Sequence, residues 1–311
     1  MESKVEATGV LSLKRIKRRR KFLGSEAFYG YLFVSPMVLG FLLVMLFPLI
    51  YSLYISLTDW QLLGDPSFIG AENYQRLVND PDFLVVLKNT LLFSGGLVPI
   101  NIVLALLLAL LLQRNLPGIG LFRTAIFIPV MTSIVVWSII WKYMFSTDEG
   151  FINQILGVFG IDGPAWLYDP NLAMGAVIVV SALKNVGLNM VLFLAALQQV
   201  DKNLYEASYL DGANKVRQFW HVTLPMITPT LFLTLILTVI GSMKVFGQIY
   251  VMTNGGPGNH TKVLVYYIWE NAFKLFDFGY ASAIAIVLFV IILFFTLIQW
   301  GARRKWVFHE Q

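Results

Sequence analysis

Cysteine is absent from the 311 residues. That removes a disulfide framework, a thiolate metal site and a cysteine nucleophile from consideration. Charge is scarce as well, at 13% of residues, against about 25% in an ordinary soluble domain. With 57% hydrophobic residues and a mean hydropathy of +0.70, the chain does not read as a soluble globular protein. No Gly-x-x-x-x-Gly-Lys-Ser/Thr phosphate loop occurs, so ATP hydrolysis by this chain alone is not expected. Gly255-Gly256-Pro257-Gly258 resembles such a loop in composition only. The three histidines, His221, His260 and His309, are too scattered for a metal site or a catalytic triad.

What fills the chain instead is long apolar runs. Six segments, 30–54, 90–112, 124–145, 173–197, 230–252 and 280–300, are each long enough for a helix to cross a hydrocarbon core of about 30 Å. None shows the alternation of a barrel strand. The expected fold is therefore an all-α polytopic membrane protein with six transmembrane helices. Pro36 and Pro48 should kink the first span, and membrane helices tolerate this where neighbours re-satisfy the freed carbonyls. The first span exceeds the apolar core of a cleavable signal and lacks a small-residue cleavage site, so it is expected to stay in place.

Basic residues orient these spans. Eight precede the first (Lys4, then seven between Lys14 and Lys21), and Arg114, Arg123, Lys202, Lys215, Arg217, Arg303, Arg304 and Lys305 share their face. The opposite loops hold only Arg76, Lys88, Lys262 and Lys274. The positive-inside rule then predicts cytoplasmic N and C termini. It divides the chain into a basic cytoplasmic N-terminus (1–29), a six-helix transmembrane domain (30–300) and a cytoplasmic tail (301–311). The run Lys14–Lys21 lies about nine residues before a span, where basic clusters commonly touch anionic headgroups, so a nucleic-acid arm is not needed to explain the net charge.

Outer loops at 55–89, 146–172 and 253–279 carry turn punctuation and interface aromatics such as Trp60, Trp166, Tyr168 and Trp269. The inner loop 198–229 is polar enough to leave the membrane yet has helical apolar spacing. Asp201 is a plausible N-cap, Leu204, Ala207, Tyr209 and Leu210 form a short apolar face, and Gly212 is placed for a left-handed C-cap. A second short helix, from Ala213 to about Thr223 with Val216, Phe219 and Trp220 on one side, should end before Pro225 and Pro229 reset the chain. Two short helices at a glycine bend make a knob suited to docking in a groove of a soluble partner.

Within that loop Glu206-Ala207-Ser208, Gly212 and Val222-Thr223-Leu224-Pro225 resemble the Glu-Ala-Ala, three residues, Gly, nine residues, Ile-x-Leu-Pro pattern of membrane subunits of binding-protein-dependent ABC importers. Ser208 and Val222 depart from it by small changes. Asp211-Gly212-Ala213, Phe219, Asn73-Tyr74 after Phe68-Ile69-Gly70, Thr253-Asn254-Gly255-Gly256-Pro257 and Phe278-Gly279-Tyr280-Ala281 resemble the carbohydrate-uptake branch, the maltose-type permeases. The resemblance implies a multi-pass permease of the prokaryotic cytoplasmic (inner) membrane. It pairs with a second homologous permease, two ATPase subunits and an extracytoplasmic solute-binding protein that delivers a sugar. ATP and Mg would reside on the ATPases, with no cofactor or metal in this chain. The coupling loop implied is Glu206, Ala207, Ser208, Asp211, Gly212, Ala213, Phe219, Leu224 and Pro225, with Glu206 facing basic groups of the ATPase. A non-sugar solute such as a glycerol phosphate is the alternative cargo.

No Asp or Glu lies in any predicted span. Ion-coupled carriers usually hold the ion on a carboxylate at membrane depth, so a secondary carrier is disfavoured. An intramembrane enzyme is disfavoured for want of His, Asp, Glu or Cys there. Lys142, flanked by Trp141 and Tyr143, is explained by snorkelling to the interface. Two polar stripes are candidates for a translocation path: Ser181, Lys184, Asn185 and Asn189 on span four, and Thr234, Thr238, Gly241, Lys244 and Gln248 on span five. At 100° per residue each falls within an arc of about 140° or less. Phe246 and Tyr250 offer faces on which a sugar could stack.

Overall fold

The computed structural model describes residues 26–61, 64–113 and 117–306. The basic run Lys14–Lys21, Arg114 and the last five residues of the expected tail lie outside them. The chain divides into two units at Tyr51 and Ser52. The first is helical: α1 (Glu26–Phe41), a π turn (Leu42–Leu46) and the start of α2 (Phe47–Ile55). The expected interruptions at Pro36 and Pro48 resolve into that single π turn between them, a widened turn of the kind that accommodates lost i→i−4 bonds.

The second unit begins with a short antiparallel pair, β1 (Thr58–Asp59) and β2 (Ser67–Phe68), in the register Thr58↔Phe68. Then come α3 (Glu72–Asn79), α4 (Pro81–Leu112), α5 (Ile119–Met131), α6 (Ile134–Met144), α7 (Phe151–Val158) and α8 (Ala173–Gln199). The rest is α9 (Lys202–Leu210), α10 (Lys215–Gln218), a second π turn (Phe219–Thr223), α11 (Leu224–Met243), α12 (Gly247–Met252), α13 (Leu264–Phe273) and α14 (Phe278–Trp306). Among the described residues five stretches are long and apolar enough to cross a membrane, and six if the bent pair α5–α6 is counted as one span.

α8 is the central helix. It packs along α4 and α5, and Gly187 allows the second contact: a Cβ there would lie 2.5 Å from the Ile126 carbonyl oxygen. Three apolar clusters result. One joins Phe93, Val177, Ile249 and Tyr266, and one joins Phe83, Met243, Leu264, Tyr280 and Ile284. A third, with Ala105, Ala109, Met190, Phe193 and Ile227, lies toward the inner loop. Where these helices are membrane spans, lipid tails are as apolar as the side chains, so the clusters hold through close van der Waals packing and interhelical hydrogen bonds.

Three boundaries differ from the hydropathy reading. Span three is not one helix: α5 and α6 meet at 103°, because Pro129 withholds an N–H and Thr132 and Ser133 turn extended. Span five does not run to residue 252, since α11 ends at Met243 and Lys244–Phe246 break it before α12. Pro225 and Pro229 do not reset the chain either. One helical stretch runs from Lys215 to Met243, with the π turn just before Pro225 absorbing the missing donor. The expected loop 198–229 therefore ends inside a span.

Candidate functional site: coupling knob and polar cavity

The knob is built from local signals. Asp201 caps α9 by accepting from the Asn203 N–H at 2.9 Å. At the other end Gly212 has φ +77°, the left-handed conformation that favours glycine. The Ala213 N–H donates to the Ser208 carbonyl at 2.9 Å and the Gly212 N–H to that of Tyr209 at 3.0 Å, the paired bonds of a Schellman C-cap. Asn214 then caps α10 through the Arg217 N–H at 2.9 Å.

Ser208 ties the two arms together. Its Oγ donates to the Tyr205 carbonyl at 2.8 Å and accepts from Gln218 Nε2 at 3.0 Å. Tyr205 Oη lies 2.9 Å from Thr223 Oγ1, and Tyr205, Val222 and Leu224 rest on the inner apolar cluster. Below that foundation the knob exposes apolar surface: Tyr209 is 75% exposed and Leu210 85%. Glu206, Ala207, Asp211 and Gly212 share the exposed side, while Ala213, Phe219, Leu224 and Pro225 are half-buried. Tyr205, Glu206, Tyr209 and Leu210 border a shallow concavity there.

The two polar stripes meet. Ser181, Asn185, Gly241, Lys244 and Gln248 line a cavity of about 210 Å³ together with Phe93 and Phe246. Asn185, Asn189, Thr238 and Gly241 line an adjoining one of about 240 Å³. Asn189 Nδ2 bridges the stripes, donating to Thr238 Oγ1 at 3.0 Å and to Asn101 Oδ1 at 2.6 Å. Asn101 is fully buried on α4 and donates to the Ala182 carbonyl at 3.1 Å. The sequence reading missed it, and its only signal was one amide within an apolar run. Ser181, which lines the first cavity, has its Oγ buried without a hydrogen-bond partner among the described residues.

Three expected path residues lie elsewhere. Thr234 lines neither cavity: it is fully buried and donates to the carbonyls of Thr230 and Leu231 within its own helix, both at 3.0 Å. Lys184 does not line either cavity. Only 8% exposed, it donates to the carbonyls of Pro129 at 2.8 Å and Thr132 at 2.7 Å, capping the bend of the broken span. Tyr250 belongs to an aromatic cluster with Phe246, Tyr266 and Trp269; its ring stacks on Phe246 at 5.4 Å and meets Trp269 edge-on at 4.9 Å. Phe246 alone of these four faces the cavity. Among the described residues no three His, Cys, Asp or Glu side chains converge as a metal site.

On the face opposite the knob, the remaining motifs come together. Asn73 Nδ2 donates to the carbonyls of Ser56 at 3.0 Å and Thr58 at 2.9 Å. The Phe278 and Gly279 N–H groups both donate to the Trp60 carbonyl. Asp80 accepts from the hydroxyls of Tyr267 at 2.6 Å and Tyr280 at 2.5 Å and caps α4 through the Asp82 N–H. Burial pushes the Asp80 carboxyl up, but these donors outweigh it and hold its pKa below the ordinary 3.8. Burial, then the bond to Asp80, push the Tyr267 phenol upward. In the Gly-rich segment, Thr261 Oγ1 donates to the Gly256 carbonyl at 2.6 Å and Tyr266 Oη to Asn254 Oδ1 at 3.0 Å.

Residues 101–306 match the family described as binding-protein-dependent transport system inner membrane component. The chain belongs to that family. The permease is 38% identical over 282 residues to the lactose transport system permease protein LacF of Rhizobium radiobacter, covering 89% of this chain and 94% of that one. It is 37% identical over 272 residues to the arabinooligosaccharides transport system permease protein AraP of Bacillus subtilis, covering 86% of each. Its fold is that of a chain in the crystal structure of a bacterial alginate ABC transporter in complex with an alginate pentasaccharide-bound periplasmic protein. That match has a TM-score of 0.79 at 23% identity and covers 89% of this permease and 94% of that chain. The permease is thus an integral membrane transport subunit with an all-α fold.

Proposed function

We propose that this permease is one of two transmembrane subunits of a prokaryotic inner-membrane ABC importer for a sugar or oligosaccharide. An extracytoplasmic binding protein delivers the solute, and two ATPase subunits carry the ATP and Mg. The observation that bears most of the weight is the braced knob 201–223, whose Glu206, Ala207, Tyr209 and Leu210 are exposed on a frame held by Ser208, Tyr205 and Gln218. A rigid knob whose apolar face also carries Glu206 and Asp211 can enter an ATPase cleft and pass its motion directly into α11. That helix shares one continuous helical stretch with the knob's second arm. The relatives that transport lactose and arabinooligosaccharides support a saccharide cargo. So does the cavity, which offers amides, hydroxyls and the ring of Phe246. In this reading both termini and the knob are cytoplasmic. ATP binding closes the ATPases and turns the permease pair outward, and hydrolysis resets it. The driving force is the difference in affinity of nucleotide and loaded binding protein for the two states.

Lys244 favours a second cargo, a phosphorylated polyol such as a glycerol phosphate, because an exposed ammonium lines the cavity without an acidic residue beside it in the lining. The test is ATPase activity of the reconstituted complex with its binding protein and a panel of neutral and phosphorylated sugars. Stimulation by neutral saccharides supports the first reading, and stimulation by phosphorylated polyols alone supports the second. Stimulation by neither, with uptake driven by an ion gradient in the isolated chain, overturns both.

A further inference from the structure

The end of α6 that lies away from the knob carries a groove used by neither path nor knob. Ile139, Tyr143, Phe145, Leu167 and Tyr168 form its apolar walls, Lys142 and Ser146 its polar edge, and its volume is about 300 Å³. Val135, Ile139 and Tyr143 recur at i, i+4 and i+8 and are all exposed, so an apolar stripe continues from the groove down α6. Lys142 sits one turn above Ile139, exposed, and makes no ion pair among the described residues.

The neighbouring element extends this surface. α7 packs on α6 and exposes Phe151, Ile155, Val158 and Phe159, spaced i, i+4, i+7 and i+8 on one helical face. Asn153 pins the opposite side: its Nδ2 donates to the carbonyls of Thr147 at 2.9 Å and Pro164 at 3.2 Å, and its Oδ1 accepts from Trp166 Nε1 at 2.7 Å. An outward apolar face on a helix held this firmly suits the boundary of acyl chains and headgroups. Snorkelling and the helix dipole account for a lysine at the end of α6, but not for a groove beside it.

We infer that this groove is a docking site for one anionic glycerophospholipid of the leaflet opposite the knob. The phosphate pairs with Lys142 beside the Ser146 hydroxyl, the glycerol and first methylenes fill the groove, and an acyl chain follows Ile139 and Val135. The seven-residue rise from Val135 to Lys142 spans about 10 Å, which places the charge above the chain as the lipid's own geometry requires. The exposed apolar stripe lies on a helix that passes, with α5, the length and hydropathy test for a membrane span, and with an unpaired cation at its end this charge pattern favours an anionic lipid over a soluble protein.

The test is native mass spectrometry of the permease complex purified from nanodiscs of mixed phosphatidylglycerol and phosphatidylcholine, comparing the wild type with Lys142→Gln, Lys142→Glu, Lys142→Arg and, as a control on the same face, Lys88→Glu. A surface cation contributes about 1 kcal/mol to anionic lipid binding, so retained phosphatidylglycerol should fall about fivefold in Lys142→Gln and further in Lys142→Glu. Lys142→Arg and Lys88→Glu should hold it as the wild type does. Equal retention of the two lipids, or unchanged phosphatidylglycerol in Lys142→Glu, overturns the proposal. Weaker capture of the binding protein by Lys142→Glu with lipid retention unchanged overturns it too, and makes the groove a protein contact.

Discussion

Asn189 holds two helices at once, through Asn101 Oδ1 and Thr238 Oγ1. Replacing it with Leu leaves the buried Asn101 Oδ1 without its donor, while Asn101 Nδ2 keeps the Ala182 carbonyl. Interhelical hydrogen bonds in membranes contribute roughly 0.6–2 kcal/mol, and thermal unfolding in detergent should show a loss of that order, with a larger fall in transport because the bond borders the cavity. Asp80 gives a pH signature. Its folded pKa is depressed, so its contribution is present above the unfolded value and is lost as pH falls through the folded one. The stability gap between wild type and Asp80→Asn should be constant above the ordinary value of 3.8 and close below it in a pH series of melting curves. A gap that widens toward acid would contradict the assignment. At this scale local chemistry was legible and distant partners were not. Asp201 and Gly212 announce a cap and a bend within a few residues of themselves, whereas Asn101 meets Asn189 only because α4 packs along α8.

Among the elements, the broken span three depends on Lys184 for its last carbonyls. Lys184→Met keeps the bulk and removes the donors; the Pro129 carbonyl keeps the Thr132 N–H at 3.2 Å, while the Thr132 carbonyl loses its partner, at a cost of about 1–3 kcal/mol for an unsatisfied buried group. The expected result is a shifted α5–α6 angle, read as altered spin-label distances between α6 and α8, with Lys184→Arg recovering part of the effect. An unchanged distance distribution would deny Lys184 this positioning role. Hydropathy located all six apolar segments yet passed over both breaks, because a two- or three-residue interruption at Thr132–Ser133 or Lys244–Phe246 hardly changes a 19-residue average. It also set Pro225 and Pro229 as stops, when a π turn carries the helix through them. The polar stripes were placed on the right helices by their period, but Lys184 is long enough to reach across to α5 instead of into the cavity.

At the scale of the whole molecule, a polar cavity between α8 and α11 and an exposed knob leading into α11 are the two parts that the proposed transport cycle must couple. Reversing charge with Glu206→Lys, or adding a β-branched side chain at the left-handed position with Gly212→Val, should leave the permease pair assembled. Transport per ATP hydrolysed should fall at least tenfold. A left-handed residue other than glycine costs roughly 1–2 kcal/mol, enough to tilt the knob without unfolding six spans. Because the native chain has no cysteine, every introduced thiol is unique, and Leu210, on the outermost side of the knob, is a suitable reporter. The most direct test is to cross-link Leu210→Cys in the intact complex and identify the captured partner. The account predicts capture of the ATPase subunit and labelling from the cytoplasmic side only. A thiol labelled from the extracytoplasmic side, or captured by the binding protein, would contradict it.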